Sequence, residues 1–188
     1  GVTDVSTRFK TMLIQARMIR LMQAATDPSM LRSPLQEFIE EEDSPQEAFR
    51  AIDDSDVLKS IIEYENMEIP TKYVATEKLV KEIISQGGKV VIWATFVHTI
   101  HGLRDYLKKQ GIESRVLYGE VPVEKNSLSE GKDEEIITRE QIVKEFQKED
   151  CSYKVIIANP FAVAESISLH KACHNAIYIE RSFNAAHF

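Results

Sequence analysis

Residues Val155-Ile156-Ile157-Ala158 form a run that is short, wholly apolar and largely β-branched, the build of a strand buried on both faces. Asn159-Pro160 and a stretch of small and hydroxyl residues to Ser168 follow, and then a second apolar run, Ala176-Ile177-Tyr178-Ile179. The segment Gly87-Gly88-Lys89-Val90-Val91-Ile92-Trp93-Ala94-Thr95-Phe96 repeats the theme of turn, buried strand and polar tip. Strands of this kind, separated by helix-length segments, pair in parallel and cross over through helices. Open sheets of that class hold their ligands beyond the carboxyl ends of the strands. The expected fold class is therefore α/β, a parallel sheet with flanking helices.

Period and caps give the other elements. Asp4 to Ala25 reads as an amphipathic helix through Phe9, Met12, Leu13, Ala16 and Ile19, with Thr3 or Asp4 as its cap. It stops at Asp27-Pro28, because a residue before proline avoids the α region. Ser44-Pro45-Gln46-Glu47 is a capping box with proline at the first helical position. Further helical turns carry Val57, Leu58, Ile61 and Ile62. Thr71 to Ser85 is expected to be a helix that buries Val74, Leu79, Val80, Ile83 and Ile84 and ends at Gly87-Gly88. A strand over Lys89 to Ala94 comes next, then a helix from His98 to Gln110 with Ile100, Leu103 and Leu107 on one face. Ser114 to Tyr118 is a strand ending at Gly119, and Val121 to Ile137, long, polar and acidic, is expected to be a mobile loop. Thr138 to Lys148 is a helix with Ile142, Val143 and Phe146 inward. The expected organisation is a helical appendage over residues 1–68 and a sheet domain over 69–188.

With 188 residues and 43% hydrophobic content, the chain can bury one sizeable core beside that appendage. No apolar run approaches the ~20 residues of a bilayer span, and no basic-then-apolar leader is visible. Cys151 and Cys173 make no disulfide framework, which points to a reducing, cytoplasmic setting. A net charge of −7 argues against a surface that coats nucleic acid throughout, while leaving room for a local phosphate-binding edge. The acids cluster at Glu37, Glu40 to Asp43 and Asp53, Asp54 and Asp56, most simply a solvated face. His170, Cys173 and His174 lack a usual zinc-ligand spacing and read as a buried turn. His98 and His101 read as a surface pair and Trp93 as core, while Tyr118 at a strand end suits either core or tip.

No Gly-x-x-x-x-Gly-Lys-Ser/Thr loop occurs, and no acidic pair follows a strand, so the chain has no complete P-loop ATP site of its own. Nor does a Gly-x-Gly-x-x-Gly follow any strand, which disfavours a dinucleotide enzyme.

Two stretches resemble helicase motifs. KVVIWATF is similar to motif IV, and VIIANPFAVAESISLHKACHNAIYIERSFN to motif V and its sequel. The resemblance is to the second RecA-like lobe of superfamily 2 helicases, in the Swi/Snf-like branch of DNA translocases. It runs from about Arg17 onward, where ARMIRLMQAATDPSML is similar to a Leu- and Arg-rich helix ending at a proline step. The chain departs from the family where motif V usually has Gly-x-Gly-x-Asn-Leu and this sequence has Ala164-Glu165-Ser166-Ile167-Ser168-Leu169. It departs again where Asp-x-x-Trp-Asn-Pro becomes Glu180-Arg181-Ser182-Phe183-Asn184-Ala185.

The resemblance implies a C-terminal lobe of an ATP-dependent DNA translocase, inactive alone. DNA and an N-terminal RecA-like lobe would be its partners, with ATP and Mg²⁺ bound in the parent and no cofactor in this chain. Motif VI, with arginines directed at the γ-phosphate, would lie beyond Phe188. Residue by residue, Thr95 and Phe96 fall in motif IV, Gly119 follows the next strand, and Arg139 opens the following helix. Asn159, Ser166 and Ser168 fall in motif V. Hydroxyls and backbone N–H groups at strand ends donate to phosphate without sequence preference. The plainer reading of Ser166 and Ser168 is that they cap the turn before His170. Glu165, Glu180 and Arg181 are the candidates for an interlobe ATP site. The alternative function is a free-standing, non-catalytic α/β module that binds a nucleotide or a protein.

Overall fold

The computed structural model describes residues 15–32, 55–119, 121, 138–163, 169 and 171–181. The chain divides into two compact units, Gly1–Pro70 and Thr71–Phe188. The capping box at Ser44 and the loop expected over Val121 to Ile137, except Val121 itself, lie outside the described residues.

In the first unit, residues 15–26 are helical (α1) and Pro28–Leu31 form a 3₁₀ turn. Asp27 separates them: its backbone is extended, as the following proline requires. Its Oδ1 accepts from Ser29 N–H at 3.0 Å and from Ser29 Oγ at 2.6 Å, which caps the turn inside a buried pocket formed with Thr26 and Met30. Helix α2, Ser55–Met67, turns Ile61 and Ile62 partly inward.

The second unit is a four-stranded parallel sheet with helices on both faces. Its strands are β1 (Val90–Trp93), β2 (Ser114–Leu117), β3 (Val155–Ala158) and β4 (Asn175–Tyr178), in the spatial order β2-β3-β1-β4. Val90 pairs with Val155 on one side and with Asn175 on the other, and Ser114 pairs with Val155. Parallel pairing needs crossovers, and these contain α4 (Val97–Lys109) and α5 (Arg139–Phe146); α3 (Thr71–Ser85) precedes β1. A single turn, α6 (Pro160–Val163), follows β3.

Alternation along the strands builds two cores. Val90, Ile92, Val155 and Ile157 face α3 and α4, meeting Tyr73, Val80, Ile100, Leu103 and Leu107. Val91, Leu117, Ile156 and Ala158 face α5, meeting Ile142, Val143 and Phe146, with Tyr153, Leu169 and Cys173 closing that layer. Each such fully buried Leu, Ile or Phe contributes roughly 1.5–3 kcal/mol of apolar transfer.

The sequence expectation for α3 holds in its bounds but not in its face. Tyr73, Thr76 and Val80 are buried, whereas Leu79 is 48% exposed and Ile83 and Ile84 are half-buried. The polar Thr76 disguised the inward stripe. The α3–β1 and α4–β2 junctions end in the same hydrogen-bonded cap. Gly87 (φ +76°) donates to Ile84 O and Gly88 to Ile83 O; Gly111 (φ +75°) donates to Lys108 O and Ile112 to Leu107 O. This pattern places a left-handed residue just past the helix, where glycine carries no steric penalty.

Candidate functional site

All four strands point their carboxyl ends to one edge. The chain leaving β1 enters α4 on the first face, while that leaving β3 enters α6 and Leu169 on the second. Where adjacent strands send their connections to opposite faces, a crevice opens between their tips. Asn159 spans it. Its Nδ2 donates to Thr95 O at 2.8 Å, its Oδ1 accepts from Phe161 N–H at 2.9 Å, and its own N–H donates to Leu117 O at 2.8 Å. The tips of β1, β2 and β3 are thus held in register by one buried asparagine, its side chain reaching the tip of β1 and its backbone N–H the tip of β2.

Glu180 holds the other side of the rim. It is 5% exposed, and its Oε2 accepts from Thr95 N–H at 2.8 Å while Oε1 accepts from Thr99 Oγ1 at 2.7 Å. Helix α4 begins at Phe96, whose side chain cannot cap. Glu180, from the far end of the chain, instead ties the residue before the cap to the third residue of the helix, Thr95 N–H and Thr99 Oγ1, and a carboxylate there suits the positive end of the helix. Burial pushes the Glu180 carboxyl above the usual range, and the hydrogen bonds from Thr99 and the Thr95 amide pull it partway back. Lys72 Nζ donates to the neighbouring Ile179 O at 3.0 Å, tying the start of α3 to the same corner.

Arg139 lies at the first position of α5, behind the capping box of Thr138 and Gln141. Its Nε donates to Val121 O at 2.6 Å, Nη1 to Ala162 O at 2.8 Å, and Nη2 to Tyr118 O at 3.0 Å and Gly119 O at 2.9 Å. Gly119 is exposed, and an added Cβ there would meet nothing within 4 Å. Phe96 is half-buried. The Thr95 hydroxyl is shielded and has no hydrogen-bond partner among the described residues. Glu165, Ser166 and Ser168 lie outside the described residues. Arg181 is exposed and lies over the Tyr178 ring, 5.7 Å from its centroid.

The edge therefore brings together Thr95, Phe96, Gly119, Arg139, Asn159, Glu180 and Arg181, and it adds residues that the sequence reading had not assigned to it. Thr99 and Lys72 are hydrogen-bonded into the rim. Trp93, expected in the core, is half-buried and stacks on Tyr178 at 6.5 Å between ring centroids; Tyr178 and Phe161 are largely exposed. The parallel register that aligns Trp93 with Tyr178 is invisible in either strand alone. His101 is not a surface residue paired with His98: it is half-buried, edge-on to Tyr118 at 5.0 Å. Cys173 Sγ shares its proton between Asn175 O in the turn and Lys89 O before β1, at 3.2 and 3.1 Å, and His174 beside it is exposed.

Two open hollows, of about 370 and 470 Å³, lie at the opposite, amino-terminal edge of the sheet. The larger is lined by Lys89, Lys154, Lys171 and His174, but Lys89 and Lys154 are committed to the carbonyls of Phe146, Lys148 and Glu149.

Comparison with known proteins identifies the architecture. No family model matches the chain, and no curated protein matches it. Among solved structures, the C-terminal part of the Fun30 ATPase domain superposes with a TM-score of 0.54 at 18% identity, over 89% of this chain. This chain shares the α/β fold of that domain. It spans 58% of the length of that solved chain. Two structures from Sulfolobus solfataricus align less closely. The SWI2/SNF2 ATPase C-terminal domain gives a TM-score of 0.46 at 21% identity, over 89% of this chain and 67% of the other. The SWI2/SNF2 ATPase core in complex with dsDNA gives 0.48 at 19%, over 85% and 32%. Among the described residues, no helix is long and apolar enough to cross a membrane.

Proposed function

We propose that the chain is the second, C-terminal lobe of an ATP-dependent DNA translocase, and that the carboxyl rim of its sheet tracks a DNA backbone. One observation carries this reading: a RecA-like sheet whose motif IV and motif V tips are locked into a single edge by Asn159, between Thr95 and Leu117. In this reading the edge offers backbone groups, joined by the Ser166 and Ser168 hydroxyls, and reads no base. That suits phosphate recognition without sequence preference.

The described residues do not by themselves fit ATP and Mg²⁺. Both Glu180 oxygens are committed inward, Arg181 is the exposed residue of that candidate set, and no triphosphate loop is present in the sequence. In this reading a nucleotide site is completed by another lobe. This lobe contributes a wall, and Ser166 and Ser168 add donors to the DNA edge.

The test is direct. The purified chain should show no ATP turnover with or without DNA. It should bind two duplexes of unrelated sequence with equal, weak affinity that falls steeply with salt. Joined to its N-terminal lobe, Ser166→Ala and Ser168→Ala should lower DNA-stimulated ATP hydrolysis while leaving the salt slope of binding unchanged, since a neutral donor releases no counterion. Absence of DNA binding at low salt, with unaltered ATP hydrolysis in both variants, would replace this reading with the free-standing binding module.

A further inference from the structure

We infer that Arg139 is a positioning residue: its guanidinium ties the backbone leaving β2 to the backbone leaving β3, and so sets the spacing of two strand tips. The inference rests on the proposed function only in reading those tips as a DNA edge. A guanidinium has five N–H donors, and Arg139 spends four of them on the carbonyls of Val121, Ala162, Tyr118 and Gly119. Past the ladder bond from Asn159 N–H to Leu117 O, the backbone bonds of each segment among the described residues close its own turn, Val121 N–H to Tyr118 O and Ala162 N–H to Asn159 O. The guanidinium bridges the gap between those turns.

Its location sharpens the point. A cation in the first turn of a helix is disfavoured by the helix dipole, and Arg139 occupies the first position of α5. The carbonyls it gathers offset that cost. The anchor is stiff, because Thr138 Oγ1 accepts from Gln141 N–H at 3.3 Å and Gln141 Oε1 accepts from Thr138 N–H at 2.8 Å. Lysine would keep the charge but carries its three donors at a single point, so it cannot span carbonyls on two segments. Charge and tie are therefore separable by substitution.

The experiment uses the whole chain, Arg139→Lys and Arg139→Ala. Native-state amide exchange is read at Val121 and Ala162, with Val91 and Ile92 of β1 as the internal measure of global stability. In both variants Val121 and Ala162 should exchange about tenfold faster relative to β1. A salt titration of binding to a 20-base-pair duplex probe should give the same slope for Arg139→Lys and the parent chain. Three results would overturn the tie. One is restoration of protection by lysine; another is a loop-to-β1 exchange ratio unchanged in Arg139→Ala. The third is a fall of about one unit in the Arg139→Ala salt slope with unaltered exchange, which would make Arg139 a direct phosphate contact. If the chain binds no DNA, the DNA reading fails on its own and the exchange ratio still decides the tie.

Discussion

Glu180 shows what a single buried carboxylate does to the pH response of a small fold. Its pKa is raised in the folded chain, chiefly by burial, so the native state holds the proton more tightly than the unfolded one. The stability it contributes is full below the unfolded glutamate pKa, about 4.3, and is lost as pH rises through the higher folded value. Glu180→Gln should therefore flatten the rise in stability on acidification from neutral pH toward about 4.5. Urea midpoints of both proteins at the two ends of that range check it; parallel slopes would refute it. Gly102 poses a steric question instead. A Cβ there would lie 2.7 Å from the Tyr73 hydroxyl oxygen, and Tyr73 is 4% exposed. Gly102→Ala gains roughly 1 kcal/mol of helix propensity but forces a rigid buried ring aside, an overpacking cost of about 1–3 kcal/mol. The net effect should be destabilising. In a Tyr73→Phe background, where the clashing oxygen is gone, the same substitution should become neutral or favourable, which a double-mutant cycle by thermal melts would read.

Helix α5 is fixed at both ends by groups that differ in how visible they are in a sequence. Its capping box at Thr138 and Gln141 is local, and so is the inward stripe of Ile142, Val143 and Phe146; all can be read from spacing. Its other end is closed by Lys89, which sits before β1 and donates to Phe146 O and Lys148 O at 2.5 and 2.6 Å, its ammonium 5.2 Å from the Phe146 ring centroid. Nothing in the local sequence of either element announces that partnership. Lys89→Met keeps much of the volume but leaves two carbonyls without their charged donor. It should cost about 1.5–3 kcal/mol, measured by urea unfolding, with α5 amides losing protection first. The same division runs through the sheet unit. Strands β1 and β3, helix α4 and the two glycine stops were legible because each is decided by a few neighbouring residues. The inward face of α3 was misread because Thr76 interrupts its apolar stripe, and the Trp93–Tyr178 stack was missed because strand register is a property of pairs. For the candidate site, motif order named the tips of β1 and β3, and the parallel pairing places both at one edge of the sheet. The inward turn of Glu180 and the carbonyl clamp of Arg139 depend on residues far away in the chain, so spacing could not reveal them.

At the scale of the whole molecule, charge and protection are unevenly distributed. Gly1–Pro70 carries fourteen acids against seven Lys and Arg, whereas Thr71–Phe188 carries sixteen of each. The net charge of −7 thus belongs to the first unit, and the sheet unit is neutral overall, so a weak phosphate-binding edge need not oppose its own domain. Within the sheet, β1 and β3 are flanked on both sides, and all four β3 residues and the first three of β1 are buried, while β4 lies at an edge and is half-exposed. Amide exchange should therefore be slowest in Val90–Ile92 and Val155–Ala158 and markedly faster in Asn175–Tyr178; equal protection in all three strands would contradict this. The distant tie between α4 and Glu180 also bears on how the chain assembles. Thr99 and its acceptor Glu180 are 81 residues apart, and closing so long a loop is entropically slow compared with forming a helix turn. Glu180 lies beyond β4, so during synthesis α4 can complete its own turns long before the residue that fastens it to this corner of the rim has been translated.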